Sequence, residues 1–314
     1  MAGYLGFDIG GTAVKWATFS NDLSIAERGS IPTSFSTSEE VLDVLAQIAR
    51  PQLGTVDAIG VSVPGSVYDD DGDGTVHRGG ALPYMNDVPL ARELRERLNR
   101  PVAVCNDGKC CALGEYAAGA LKGVHIGVAV ALGTGVGGGI VIDGHVLNGP
   151  HAFAGELSFL SNDIARPLAM DNMFGGTGGW HGLRNLVFKE KGIAADDPAY
   201  QDVDGRAIFE WINGGDEAAR RGLDTYALLI DRQLLDLQAV IDPDVFAIAG
   251  GISGQQALID ALNAQMQDIA ENELTGLLAL VPVPRIVQAQ LGNDANLYGA
   301  VYHAKALLAQ AAER

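Results

Sequence analysis

Asp8-Ile9-Gly10-Gly11-Thr12-Ala13-Val14-Lys15 is the stretch on which the fold turns. The residues before it, Tyr4 to Asp8, read as an apolar strand, and Val14 to Phe19 read as its return strand. The segment is therefore a hairpin with glycines at its tip. Glycines let the backbone approach a phosphate closely and aim N–H groups at it. Thr12 adds a hydroxyl donor, Lys15 adds charge, and Asp8 at the strand end can hold Mg²⁺ through water. A plain Gly-Gly hairpin looks similar and is common. Two features set this one apart: the carboxylate before the turn, and a second Gly-Thr turn, Gly133-Thr134-Gly135-Val136-Gly137-Gly138-Gly139.

That second run contains a formal G-x-G-x-x-G. A dinucleotide fingerprint opens a helix, whereas Ile140-Val141-Ile142-Asp143-Gly144 reads as a strand and a turn. No Walker A sequence occurs, which argues against a P-loop enzyme. Outward from the two turns, strand and helix alternate. Ile25 to Ile31 reads as a third strand, and Ser38 to Ala49 as a helix capped by Ser38. Ala58 to Val63 is a strand, Val88 to Leu98 a helix, Pro101 to Asn106 a strand and Gly108 to Ala120 a helix. A second round follows: strands at Gly127–Leu132 and Gly139–Ile142, a helix at Glu217–Ile241, a strand at Val245–Ala249, a helix at Gln255–Ala270, a strand at Arg285–Gln288 and a helix at Ala295–Ala312. Residues 156–185 fit no element. The two rounds suggest a duplicated α/β unit with a cleft between the copies. The boundary falls near Ala118 to Gly123, giving a smaller N-terminal domain (1–118, closed by the last helix, 295–314) and a larger one (119–294).

The chain has 314 residues, 47% hydrophobic and 19% charged, which suits a two-domain globular protein. Its net charge of -18 would be repelled by nucleic acid or an anionic membrane. No apolar run nears the roughly 20 residues that span a bilayer, and the start shows no signal peptide. Cys105, Cys110 and Cys111 make no disulfide framework and read as buried, reduced thiols of a cytoplasmic protein. Asp69-Asp70-Asp71-Gly72-Asp73-Gly74 imitates the start of an EF-hand loop. The twelfth position is Gly80 rather than Glu, so a solvated acidic turn is expected.

Asp107 follows one strand and begins a helix, where an Asp is commonly an N-cap. Asn106 beside it offers amide donors and an acceptor. Gly65 and Asn86 lie near other strand ends. Taken in order, Asp8-x-Gly-Gly-Thr-x-x-Lys15, Asn106-Asp107-Gly108, Leu132-Gly-Thr-Gly-x-Gly-Gly-Gly139, Gly155-Glu156 and Ala249-Gly-Gly-Ile252 resemble the ROK family (repressor, open reading frame, kinase) over essentially the whole chain. The resemblance implies two ribonuclease-H-like domains of the actin/hexokinase type. It also implies MgATP in the cleft and transfer of the γ-phosphoryl group to a sugar hydroxyl. In that pattern Asp107 is the base, Asn106, Glu156, Gly65 and Asn86 line the sugar pocket, and Gly10, Gly11, Thr12, Gly133, Thr134 and Gly135 receive phosphates. Gly250 and Gly251 flank the adenosine, and a homodimer is expected.

The chain departs from the family after Glu156. Typical members read Gly-Glu-Ile-Gly-His and then a cysteine-rich zinc loop. Here Phe159, Asn172, Phe174 and Gly179 stand at the ligand positions, so no zinc is expected. An apolar cluster of Phe159, Phe174 and Trp180 is expected to organise the loop instead. His181 stands where a further sugar-binding Glu belongs, and either contacts the sugar as a neutral imidazole or is structural. Loss of the His and Glu that hold the sugar near its reducing end favours a β-glucoside or other substituted hexose over free glucose. The competing readings are a catalytically silent sugar-binding or sensor protein and an acetate-kinase-like or actin-like ATPase. A first strand that begins by Tyr4 leaves no room for a preceding DNA-binding helix-turn-helix.

Overall fold

A computed structural model describes residues 3–68, 72–194 and 196–313. The first half is built of β1 (Gly3–Ile9), β2 (Ala13–Ser20), β3 (Ile25–Pro32), α1 (Ser38–Ala49), β4 (Ala58–Val63), β5 (Ser66–Tyr68), β6 (Thr75–Arg78), β7 (Val88–Pro89), α2 (Leu90–Leu98), β8 (Val102–Asn106) and α3 (Asp107–Ala118). The second round comprises β9 (Ile126–Leu132), β10 (Val136–Ile142), β11 (His145–Val146), α4 (Phe174–Thr177), α5 (Trp180–Lys191), α6 (Gly205–Asn213), α7 (Glu217–Ile241), β12 (Val245–Ala249), α8 (Gln256–Asn272), β13 (Ile286–Gln288) and α9 (Ala295–Glu313). One sheet runs β3-β2-β1-β4-β8 and the other β11-β10-β9-β12-β13. The order is the same in both: an antiparallel meander whose first strand continues into parallel neighbours. The duplication read from the two Gly-Thr turns is therefore real. A small sheet, β5-β6-β7, is inserted after β4.

By compactness the chain divides into Met1–Lys122 with Gly139–Gly155 and Asn293–Arg314, and Gly123–Gly138 with Glu156–Gly292. The division is not a single cut, because the glycine run of β10 passes from one unit to the other between Gly138 and Gly139.

In the first unit the period of two in β1 sorts side chains to two faces. Leu5, Phe7 and Ile9 join Val61, Leu45 and Leu94 in one core, under α1 and α2. Tyr4 joins Phe19, Ala58, Leu297 and Val301 in the other, under α9. The second face is unusually tight. A Cβ on Gly60 would lie 2.0 Å from the Ala300 carbonyl oxygen. One on Gly114 of α3 would lie 2.1 Å from that of Ala295, and one on Gly299 of α9 1.8 Å from that of Cys110. These glycines let α9 seat directly on backbone.

Local chemistry corrects several expectations. Thr37, not Ser38, caps α1: its hydroxyl accepts from the Glu40 amide while Glu40 returns the bond, a capping box. The helix expected from Val88 starts at Leu90, because Val88 and Pro89 pair with Val76 and Thr75 of β6. Asn106, not Asp107, is the N-cap of α3; its Oδ1 accepts from the Lys109 amide at 3.1 Å. The second strand of the later round starts at Val136, so most of the glycine run is strand. Of the three residues expected to form an apolar cluster, Phe174 is fully buried, Trp180 is partly buried and Phe159 is 53% exposed. The run Asp69-Asp70-Asp71 lies outside the described residues, and Asp73 beside it is paired with Arg92 and Arg95. The three cysteines are free and buried, and burial pushes the Cys111 thiol up to about 12. Among the described residues no helix is long and apolar enough to cross a membrane.

Two tests follow from this packing. Gly299→Ala should cost about 1–3 kcal/mol by overpacking, read from urea unfolding. Asp231 of α7 is fully buried with both carboxylate oxygens unpartnered, and burial raises it from 3.8 to about 8. Between those two pH values the folded protein holds a proton that the unfolded chain has released. Its contribution to stability therefore falls as pH rises from about 4 to about 8 and levels off above. Asp231→Asn, uncharged throughout, should flatten that part of the stability profile.

Candidate active site

The candidate residues of the first unit gather at the carboxyl ends of parallel strands, where ligands of α/β sheets commonly bind. Asp8 of β1 is in register with Ser62 of β4, and Ser62 with Cys105 of β8. Asn106 and Asp107 follow directly. Asp8 is 7% exposed, and its Oδ1 accepts from Ser62 Oγ and from Asn296 Nδ2, both at 3.0 Å. Lys15 Nζ stands 3.7 Å from Oδ2. This is a buried carboxylate made tolerable by donors.

The turn beyond Asp8 is braced from behind. The Gly10 amide donates to the Ala13 carbonyl at 2.9 Å. Thr33 Oγ1 donates to the Gly10 carbonyl at 2.7 Å, and the Thr33 amide to the Thr12 carbonyl at 3.0 Å. Gly11 and Thr12 are left at the surface, and a Cβ on Gly11 would meet no protein atom within 4 Å. Packing does not demand a glycine there, whereas a ligand lying against the backbone would.

Asp107 is the first residue of α3. Its Oδ1 accepts from the Gly108 amide at 2.8 Å and from Asn106 Nδ2 at 2.9 Å, which sets the plane of the carboxylate. The same Asn106 amide reaches the Gly65 carbonyl at 2.9 Å. Gly65 has φ +97, and a Cβ on it would lie 1.7 Å from the Arg78 carbonyl oxygen. Asn86 Oδ1 accepts from the Gly79 amide at 2.7 Å, so Asn86 fixes the turn packed against Gly65. Gly65, Asn86, Asn106 and Asp107 are thus one connected set. Behind them Lys109, only 2% exposed, donates to Asn148 Oδ1 and the Ala152 carbonyl, each at 2.8 Å. It ties the catalytic-helix candidate to the segment leading to Gly155.

In the second unit the pattern repeats at the ends of β9 and β12. The turn is short, with the Gly133 amide donating to the Gly135 carbonyl at 2.9 Å. Gly250, with φ +92, lies against Leu132, so a Cβ would approach that residue's backbone to 2.4 Å. A Cβ on Gly251, like one on Gly11, would meet nothing within 4 Å. The backbone of Gly179 abuts the turn: a Cβ there would lie 2.4 Å from the Thr134 carbonyl oxygen. Glu156 is half-buried and precedes a 3-10 turn, Leu157–Phe159. His181 is exposed on α5, its ring stacked on Trp180 with centroids 3.7 Å apart.

Sequence reasoning missed Ser62, Asn296, Thr33 and Lys109. Ser62 left a trace, as a polar residue in the otherwise apolar strand Ala58–Val63, and Lys109 left one as a cation in an Ala- and Cys-rich helix. Asn296 left none. The residues at the expected zinc positions do not fit zinc: Phe159, Phe174 and Gly179 offer no side-chain donor, and Asn172 offers only an amide.

The profile of the ROK family matches residues 4–307. The chain belongs to the ROK family. An N-acetyl-D-glucosamine kinase of Shigella boydii serotype 4 (strain Sb227) is 29% identical over 307 residues, covering 95% of this chain and 98% of that protein. Among solved structures, a ROK family protein from Streptococcus pneumoniae TIGR4 in complex with sucrose superposes with a TM-score of 0.85 at 25% identity, covering 98% and 99% of the two chains. A ROK hexokinase from Thermus thermophilus does so with a TM-score of 0.78 at 26% identity, again covering 98% and 99%. The fold of this ROK protein is accordingly the two-domain actin/hexokinase fold.

Asn106 supplies both the cap of α3 and the anchor of Gly65. Asn106→Ala should lower stability by about 1–3 kcal/mol, measured by urea unfolding, with the loss seen in the absence of any ligand.

Proposed function

We propose that this sugar kinase transfers the γ-phosphoryl group of ATP to the 6-hydroxyl of a hexoside or substituted hexose, with Asp107 as the base. The observation that carries the reading is the fixed Asp107 carboxylate, one oxygen held by Gly108 and Asn106, in the same row of strand ends as the buried Asp8. Phosphoryl transfer asks little covalent chemistry of a protein and much positioning. The sugar hydroxyl oxygen bonds to the γ-phosphorus as the bond to the β-phosphate oxygen breaks. The hydroxyl proton passes to Asp107, and ADP leaves. Asn106, Glu156, Gly65 and Asn86 would orient the sugar. The turns at Gly10–Thr12 and Gly133–Gly135 offer to the phosphates those backbone N–H groups that do not close the turns themselves, and Gly251, next to Gly250, leaves room for the adenosine. Mg²⁺ fits a lone strand-end carboxylate that reaches it through water, because Mg²⁺ usually keeps several waters beside one or two carboxylates and phosphates. When bound it would neutralise charge on the transferring group, with Asp8 as its protein partner and Lys15 beside it.

Two observations favour an acceptor larger than free glucose. The ring of Phe159 is half-exposed where the family carries a sugar- and metal-binding His, and the stacked Trp180–His181 pair stands where a second Glu is expected. Aromatic faces suit a second ring or substituent better than a reducing-end hydroxyl. The relatives are in keeping: one phosphorylates an N-acetylated hexose and another holds a disaccharide. A cytoplasmic homodimer completes the reading. Free buried thiols suit a reducing compartment, and Leu277, Leu278 and Leu280 present apolar surface of the kind a second copy covers.

The test is ADP release with MgATP across glucose, N-acetylglucosamine, N-acetylmannosamine, fructose, cellobiose and gentiobiose, beside Asp107→Asn. One substituted hexose or β-glucoside should exceed glucose in kcat/KM by about tenfold or more. Asp107→Asn should lose about 10²–10⁴-fold in kcat. Equal use of glucose and cellobiose would sink the substrate preference. Thermal protection by a sugar without any turnover would instead favour the silent binding protein.

A further inference from the structure

The segment between Glu156 and His181 holds a polar device that nothing in the kinase reading requires. Asn172 is fully buried, and its amide is saturated. Its Nδ2 lies within hydrogen-bond reach of the carbonyls of Asp163 (3.0 Å), Pro167 (3.1 Å) and Arg166 (3.3 Å) and of Ser161 Oγ (3.3 Å). Its Oδ1 accepts from the Asp163 amide at 3.0 Å. Its backbone donates to Ala169 and accepts from the Asn162 amide. A buried amide on this many partners is costly to remove, because each carbonyl it serves loses its partner.

The partners have a direction. Residues 157–162 form the outgoing leg of the loop, beginning one residue after Glu156. Residues 172–178 form the returning leg. Beyond the Asn172 contacts, the Phe174 amide donates to the Leu160 carbonyl at 2.8 Å, and Ser161 bridges Met173. Gly175 packs so closely on Ser158 that a Cβ would come within 2.8 Å of it. The returning leg then docks on the phosphate-turn candidate: the Trp180 amide donates to the Gly133 carbonyl at 2.9 Å, and Tyr226 Oη donates to the Gly178 carbonyl. Asn172 is thus the knot in a continuous path from Glu156 to Gly133 and Thr134, all within the second unit. It occupies a position at which typical members carry a zinc ligand.

We infer that Asn172 is a positioning residue that clamps the two legs of the 157–178 loop by hydrogen bonds alone, holding Glu156 in place for the sugar where relatives use a metal. The inference rests on the assignment of Glu156 to the sugar site. Its physical half, the clamp, stands apart from that assignment and is read separately.

The experiment compares the wild-type protein with Asn172→Ala and with Gln233→Ala. Gln233 Nε2 donates to the Ser161 carbonyl at 3.1 Å and reaches Asn162 Oδ1 at 3.3 Å, so it supports the outgoing leg from α7. Hydrogen exchange without ligands should rise over 157–178 in Asn172→Ala and more narrowly, near 160–163, in Gln233→Ala. With the best acceptor sugar, Asn172→Ala should raise the sugar KM about tenfold or more, with kcat changed less than about threefold and the ATP KM raised less than the sugar KM, the split expected when binding is lost without loss of chemistry. Wild-type activity should be indifferent to 1,10-phenanthroline, and added Zn²⁺ should not rescue the variant. Unchanged exchange over 157–178 would overturn the clamp. Loosened exchange with an unchanged sugar KM would overturn its role at the sugar. If Asn172→Ala does not fold, Gln233→Ala decides: about a threefold rise in sugar KM upholds the inference, and no rise ends it. A wild-type protein that turns over no sugar would refute the kinase reading, while the exchange arm would still judge the clamp.

Discussion

Keeping the Asp8 carboxylate out of water is the constraint from which much of the first unit follows. A buried carboxylate without donors would protonate or unfold its surroundings. Here one donor comes from the next strand, through Ser62, and the other from the far end of the chain, through Asn296. Bringing Asn296 to Asp8 obliges α9 to lie across the first sheet and along α3. That closeness in turn requires residues without side chains at Gly60, Gly114 and Gly299. A charged group at the site and an apparently unrelated pattern of glycines in a strand and two helices are therefore one fact.

The same logic explains how the candidate base is held. Asn106 reaches the Gly65 carbonyl, the Asp107 carboxylate and the Lys109 amide. The residue before Asp107 and the amide after it both hold one oxygen of its carboxylate. The turn at Gly65 is bound into the same network, so that turn and the Asp107 carboxylate are aligned by one side chain.

Much of this was legible in the sequence. Strands β1, β9 and β12 are apolar runs followed by glycine, β4 is one followed by Pro64-Gly65, and the bounds read for α7 match the structure to the residue. The two Gly-Thr turns announced a duplicated unit because each follows an apolar strand and leads into its return strand. What stayed hidden depended on pairing across long separations. Nothing around Asn296 indicates that it serves Asp8, and Val88 reads as helix until β6 is there to pair with it. The 156–185 segment resisted assignment because its order comes from one buried amide and from glycines pressed onto neighbouring backbone, neither of which leaves a periodic trace. Helix α6 was overlooked although Asp204 caps it and Ile208, Phe209 and Ile212 mark its buried face.

The long-range bond from Asn296 to Asp8 also orders events in time. β1 and its glycine turn leave the ribosome well before α9, because 288 positions separate Asp8 from Asn296. Until α9 docks, the Asp8 carboxylate lacks one of its two donors and the surface of β1 and β4 that carries Gly6 and Gly60 stays uncovered. The turn beyond Asp8 therefore stays unfinished until a single, much later helix docks.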